Sequence, residues 1–287
     1  MFYSPLRYPG GKNKLAKFIG QICIDNKIKG HYVEPYAGGA SVALYLLLEK
    51  KVTKITINDF DRSIYAFWHS VLKNTNALCN LIEDTDINIT NWQKAKNIQK
   101  NKNRAKLLDL GFSTLFLNRT NVSGIIDGGI IGGRTQKGLY KIDCRFNKEE
   151  IIRRIKTIAK NKNKIELYNL DAIDLIKKIK KESKNKKTIF YFDPPYYLKG
   201  KSLYINYYKD NDHENVSKAI SEIKDIHWIV SYDNTPEIKK IYNWVNKKRQ
   251  RTYSLLHTAL KPREGKEILF LSKGLITPNI KDYIQIN

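Results

Sequence analysis

Four residues directly after an apolar run carry the strongest chemical signal in this 287-residue sequence: Asp193-Pro194-Pro195-Tyr196, preceded by Ile189-Phe190-Tyr191-Phe192. Ligands of open α/β sheets bind beyond the carboxyl ends of the strands, so the tetrapeptide stands where a site is expected. Two consecutive prolines remove backbone donors and restrict the chain, which can turn the Pro194 carbonyl toward a pocket. Asp193 adds a carboxylate acceptor and Tyr196 an aromatic face. Two acceptors beside a flat ring suit the exocyclic amine of a nucleobase.

A second group, Val33-Glu34-Pro35-Tyr36-Ala37-Gly38-Gly39-Ala40, sets glycines ahead of a helical stretch, where backbone can approach a ligand closely. Asp59 ends the next predicted strand, a place from which an acid commonly accepts ribose hydroxyls. Together they fit an adenosine-containing cofactor. Taken alone, an ordinary tight turn fits as well, because the glycines do not form G-x-G-x-x-G. In a third group, Arg7-Tyr8-Pro9-Gly10-Gly11-Lys12, the lysine is followed by Asn13 and no strand precedes it, which excludes a P-loop.

The elements around these groups read as α/β. Apolar spacing predicts helices over Lys14–Asn26, Ala40–Lys50, Lys148–Lys160 and Ala172–Lys181. Strands are predicted at His31–Glu34, Val52–Asn58, Ile165–Tyr168, Thr188–Phe192, His227–Ser231 and Glu267–Ser272. From about Val71 to Lys164 the texture changes: Asn91–Lys106 is rich in lysine, holds no acid and shows only a thin helical pattern. Six of the sixteen glycines lie between Gly124 and Gly138, which predicts loop or hairpin with a turn at Asp127-Gly128. The expected organisation is one discontinuous α/β domain, residues 1–70 and 165–287, carrying a mostly helical basic insertion at 71–164.

A net charge of +24 attracts polyanions, and nucleic acid is the leading candidate. At 41% hydrophobic residues the chain has enough apolar material to fold. Cys23, Cys79 and Cys144 are too few and too scattered for a disulfide framework or a zinc site, so no metal is expected. No apolar stretch reaches the ~18 residues of a membrane span, and the start of the sequence lacks the apolar run of a signal peptide, which predicts a cytoplasmic protein.

Taken in order along the chain, these groups resemble the Dam-type DNA adenine-N6 methyltransferases, with Phe116-Leu117-Asn118-Arg119-Thr120 inside the insertion and the tetrapeptide after it. The resemblance implies a Rossmann-like methyltransferase domain with a mixed, mostly parallel sheet, and a target-recognition insertion with a hairpin. It implies S-adenosylmethionine as cofactor, bound by Tyr8, Lys12, the turn Glu34, Pro35, Ala37, Gly38 and Gly39, and by Asp59, Asp171 and Asp193. Tyr8 stands where the best-known members carry Trp. Asp193, Pro194 and Tyr196 become the catalytic residues, Tyr196 stacking on a flipped adenine of double-stranded DNA. Ile229–Asn234 resembles a motif lining the base pocket. Arg119, Asn121 and Arg134 flank the glycine-rich stretch and have donors suited to base edges or phosphates. The class admits a cognate restriction endonuclease as a partner. Cytosine-N4 enzymes usually open the tetrapeptide with Ser and glutamine methylases with Asn, so Asp193 favours adenine; RNA as substrate and a catalytically idle DNA-binding module are the competing readings.

Overall fold

The structure, a computed structural model, describes residues 2–7, 12–182, 187–197, 208–257 and 263–283. Seven strands form one sheet: β1 His31–Glu34, β2 Lys54–Asn58, β3 Ile165–Tyr168, β4 Thr188–Phe192, β5 His227–Asp233, β6 Gln250–His257 and β7 Arg263–Leu271. Their order is β3-β2-β1-β4-β5-β7-β6. All neighbours from β3 to β5 pair in parallel, and β7 runs antiparallel to both β5 and β6. The strand order reverses between β1 and β4, and a crevice opens at the carboxyl ends of strands at such a switch point.

Side chains alternate across the central strands and divide the interior into two layers. Ile189 and Tyr191 of β4 join one apolar cluster, and Phe190 and Phe192 join the other. The first layer is covered by α1 Ala16–Asp25 and α2 Ser41–Leu48, the second by α8 Ala172–Glu182, α9 Asp210–Ser221 and α10 Pro236–Ile241. Burial on both faces explains why the central parallel strands are nearly continuous apolar runs.

Between β2 and β3 lie α3 Arg62–Lys73, α4 Thr75–Asp84, α5 Ile89–Lys100, α6 Leu107–Thr120 and α7 Lys148–Ala159. Phe67 and Trp68 of α3, Phe116 of α6 and Ile155 of α7 belong to the same apolar cluster as the first layer of the sheet. The helical segment therefore shares the sheet's core, and the boundary expected at residue 71 falls inside α3. The basic stretch with the thin pattern is the helix α5: it buries only Trp92, Ala95 and Gln99, and Asn88 caps it by accepting the Asn91 N–H. The expected hairpin is reduced to one antiparallel bridge, Asn121 to Ile130, with the Gly128 N–H donating to the Ile125 carbonyl at 2.9 Å. The strand β6 escapes sequence reading because it lies at the sheet edge and its residues are mostly polar.

Candidate active site

The turn after β1 is shaped by its own backbone and fastened by its neighbours. Gly38 and Ala40 take left-handed conformations, with φ of 46° and 47°. The Ala37 N–H donates to the Asn58 carbonyl, and the Gly38 N–H to Asp59 Oδ2 at 2.9 Å. Asn58, buried at the end of β2, donates its amide to the carbonyls of Pro35 and Leu170 and accepts the Leu170 N–H on Oδ1. One side chain thus joins the loops that follow β1, β2 and β3. Sequence reading missed it, and its only signal is a polar residue closing an apolar strand.

Asp59 accepts the Gly38 N–H on Oδ2 and the Asp61 N–H on Oδ1, leaving lone-pair capacity for further donors. Burial, and then the nearby Asp61, push its carboxyl up to about 7. Phe60 beside it is 62% exposed, a flat apolar face next to the acid that the sequence did not single out. Asp171 is exposed, and its carboxylate accepts the Ile173 N–H at the start of α8. Glu34 is buried, with Tyr32 donating to Oε1, while Oε2 has no hydrogen-bond partner among the described residues. Burial raises its carboxyl well above the ordinary value, and the charge of Asp193 raises it further.

On the β4 side of the switch point, Lys12 enters the interior. Its ammonium lies 3.0 Å and 3.2 Å from the two carboxylate oxygens of Glu267 and 3.4 Å from Asp193 Oδ1. Burial opposes the charge on Lys12, but the two carboxylates outweigh it and hold its pKa above the ordinary value. Ser231 also donates to Asp193 Oδ1, at 3.2 Å, so Oδ2 takes no hydrogen bond among the described residues. Burial pushes the Asp193 carboxyl up to about 6 against the pull of Lys12, with Glu267 adding to the rise. Tyr253, directly opposite Glu267 in the β6–β7 ladder, donates to its Oε2 at 2.5 Å. Sequence reading placed Glu267 only at the start of a strand, and an acid heading an apolar run gives no sign of facing inward.

Tyr196 departs from expectation. Its ring is buried beneath the Lys12 ammonium, 4.6 Å from the centroid, and its hydroxyl bonds with Lys12 and Glu267. A buried phenol needs partners, and these two supply them, so the ring is part of the site's floor and not an open stacking face. Pro194 is buried between Asp193 and this tyrosine. Tyr8 lies outside the described residues.

The profile of the D12 class N6 adenine-specific DNA methyltransferases matches residues 8–255. The chain belongs to this family. This methyltransferase is 24% identical over 231 residues to the Type II methyltransferase M.MjaIII of Methanocaldococcus jannaschii, an alignment that spans 75% of this chain and 77% of that protein. The solved structure of the putative methyltransferase yhhF from Escherichia coli superposes with a TM-score of 0.32 and 8% identity, over 90% of this chain and 87% of that one. The substrate is DNA and the position modified is N6 of adenine.

Two of the three expected DNA-reading residues of the methyltransferase are corrected. Asn121 is wholly buried: Trp92 Nε1 donates to its Oδ1, and its amide donates to the carbonyls of Ile125 and Ile126. Arg119 donates from Nε and Nη2 to the Pro5 carbonyl, and burial, with Arg154 and Arg7 nearby, lowers its pKa to about 10. Asn118 exchanges hydrogen bonds with the backbone of Arg7 at 2.7 Å and 2.8 Å. Gly124 is required in the same place, because its φ is +76° and a Cβ would sit 2.1 Å from the Arg7 carbonyl. The Asn118-Arg119 pair therefore clamps the N-terminal segment that leads to Lys12. Arg134 is exposed, as are Lys137, Lys141 and Arg145, with Leu139 at 89% and Tyr140 at 60% exposure between them.

Proposed function

We propose that this methyltransferase takes its methyl group from S-adenosylmethionine and transfers it to an adenine flipped out of duplex DNA, with Asp193 and the Pro194 carbonyl accepting the amine hydrogens. The observation that carries the reading is Asp193 itself, at the carboxyl end of β4 with Oδ1 held by Lys12 and Ser231 and Oδ2 uncommitted among the described residues. The adenine amine is a poor nucleophile because its lone pair is delocalised into the ring. Accepting its hydrogens favours a more tetrahedral nitrogen with the lone pair available. The cofactor, when bound, supplies an electrophilic methyl on a sulfonium whose sulfur keeps the bonding pair. Orienting that methyl and the amine in line is the protein's main contribution. Flipping the base costs a few kcal/mol.

The residues around β1 and β2 fit such a cofactor. Glu34 Oε2, buried and unsatisfied among the described residues, suits the ammonium of the methionine moiety. Asp59 suits the ribose hydroxyls, Phe60 offers a face for the adenine, and Pro35, Ala37, Gly38 and Gly39 form the turn between them. Lys12 and Asp193 would neighbour the bound cofactor, and Asp171 and Tyr8 complete the expected set. Residues 1–70 and 165–287 carry cofactor and catalysis in this reading, and 71–164 carry DNA recognition. The Type II description of the archaeal relative is extended to this chain, adding a cognate restriction endonuclease as partner and the cytoplasm as setting. Single-molecule sequencing of DNA from a methylation-free host expressing the chain tests the reading. N6-methyladenine in one sequence context is the expected result, and methylation of cytosine alone overturns it.

Ribose hydroxyls favour the ionised form of Asp59, so cofactor binding draws its pKa down from about 7. Binding should release protons near neutrality and weaken as pH falls below that value, measured by calorimetry in buffers of different ionisation enthalpy. Asp59→Asn should bind more weakly and lose this proton release; equal release in the variant places the ribose elsewhere. For DNA, each phosphate contact contributes about −0.9 to the log–log salt slope. Arg134→Ala should reduce the slope by about one such contact, whereas Arg119→Ala should leave it unchanged because its guanidinium is committed to Pro5.

A further inference from the structure

The Lys12 ammonium has two carboxylate neighbours, and they do not share it equally. Both oxygens of Glu267 lie at 3.0 Å and 3.2 Å, inside the 3.4 Å that separates it from Asp193. Glu267 is itself locked: Tyr253 donates to Oε2, Tyr196 donates to Oε1, and its backbone is laddered between β5 and β6. Glu267 therefore cannot follow Lys12 if the ammonium moves toward Asp193. An acceptor that holds a cation closely is a weaker acceptor for any other donor.

We propose that Glu267 is a positioning residue for methyl transfer: by taking the larger share of the Lys12 ammonium it keeps that ammonium from closing on Asp193, which stays free to accept the hydrogens of the target amine. The proposal rests on Asp193 being that acceptor. Glu267 does not touch the substrate and acts only through Lys12 and Asp193. Its place is set by the fold, because β7 is antiparallel and its early residues lie at the carboxyl ends of the parallel strands.

The groups that bear on Asp193 come from five elements. They are Lys12 from the N-terminal turn, Glu34 from β1, Tyr191 from β4, Ser231 and Tyr232 from β5, and Glu267 from β7, while Tyr196 from the loop after β4 acts on Glu267. Burial and Glu267 raise the carboxyl of Asp193, Lys12 and Ser231 lower it, and Asp193 in turn raises Glu34. Glu267→Gln removes the acid that raises Asp193 and frees Lys12 to approach it, and both changes favour the ionised carboxylate. The acid limb of the kcat profile should move to lower pH by about one unit or more. The plateau should nevertheless fall by about 10- to 100-fold, because the acceptor is now held by the ammonium. KM for DNA and for the methyl donor should change little, as expected when only the transition state loses an interaction.

The test is steady-state methyl transfer across the pH range with Glu267→Gln, Glu267→Asp and Asp193→Asn side by side. Glu267→Asp keeps the charge and should retain the acid limb while losing part of the plateau rate. An unchanged kcat in Glu267→Gln, or a reduced kcat with an unmoved acid limb, overturns the role of Glu267. Should Glu267→Gln not fold, Glu267→Asp carries the test, and an unchanged kcat there overturns it equally. Parental activity in Asp193→Asn instead defeats the assignment of Asp193 on which the proposal stands.

Discussion

Asp193→Ala is expected to lower methyl transfer by about 10²–10⁴, the range for losing a positioned polar catalytic group. The residue sits where the strand order reverses, and only Oδ1 is occupied among the described residues. The same geometry predicts how the wild type responds to acid. Its carboxyl is pushed up to about 6, so the acceptor is lost as pH falls through that value and the rate should fall with it. The linkage to stability has the opposite sense. A carboxyl raised in the folded state contributes stability at low pH that disappears as pH rises through about 6. Asp193→Ala should therefore be no less stable than the wild type in mild alkali, and its DNA affinity should be undiminished because removing an acid weakens no phosphate contact. Single-turnover kinetics with thermal unfolding of the same preparations checks both halves. Parental methyl transfer in this variant would falsify the proposed chemistry.

Lys12→Met is expected to be the most destabilising single change in the site. It leaves the buried Glu267 and the partly exposed Asp193 around an apolar side chain with no cation, and breaking the buried Lys12–Glu267 pair in this way costs about 3–5 kcal/mol. For a chain of this size that is a fall in Tm on the order of 10 °C. The deficit should depend on pH with a definite sign. Without Lys12 both carboxyls titrate above their unfolded values, so the variant loses stability relative to wild type as pH rises and recovers part of it in acid. Melting both proteins in mild acid and mild alkali reads this directly. A deficit of equal size at both ends would mean that Lys12 contributes packing and not charge.

Much of the scaffold is legible in the sequence because burial on both faces leaves a distinctive record. The strand Thr188–Phe192 can be read residue for residue, since a short apolar run set between polar residues fits a strand covered on both sides and little else. The tetrapeptide after it and the turn after β1 can be placed for the same reason. Polar residues are harder, because the sequence does not tell a buried amide from a solvated one. Arg119 and Asn121 look like surface donors near a glycine-rich loop, yet each has found backbone carbonyls inside the fold. Glu267, Tyr253 and Asn58 fail in the other direction. Glu267 and Asn58 look like ordinary strand residues, Tyr253 lies in a strand the sequence does not show, and only the pairing of distant strands reveals what they face.

The bond between Lys12 and Glu267 spans 255 residues, and that distance also has a meaning in time. During synthesis at roughly 5–20 residues per second, Lys12 emerges on the order of 10–50 s before its main counter-ion. The cofactor turn, the helical segment and the tetrapeptide have all left the ribosome while the ammonium still lacks Glu267. The charge balance around Lys12 is therefore reached only once β7 has been made and has paired with β5 and β6.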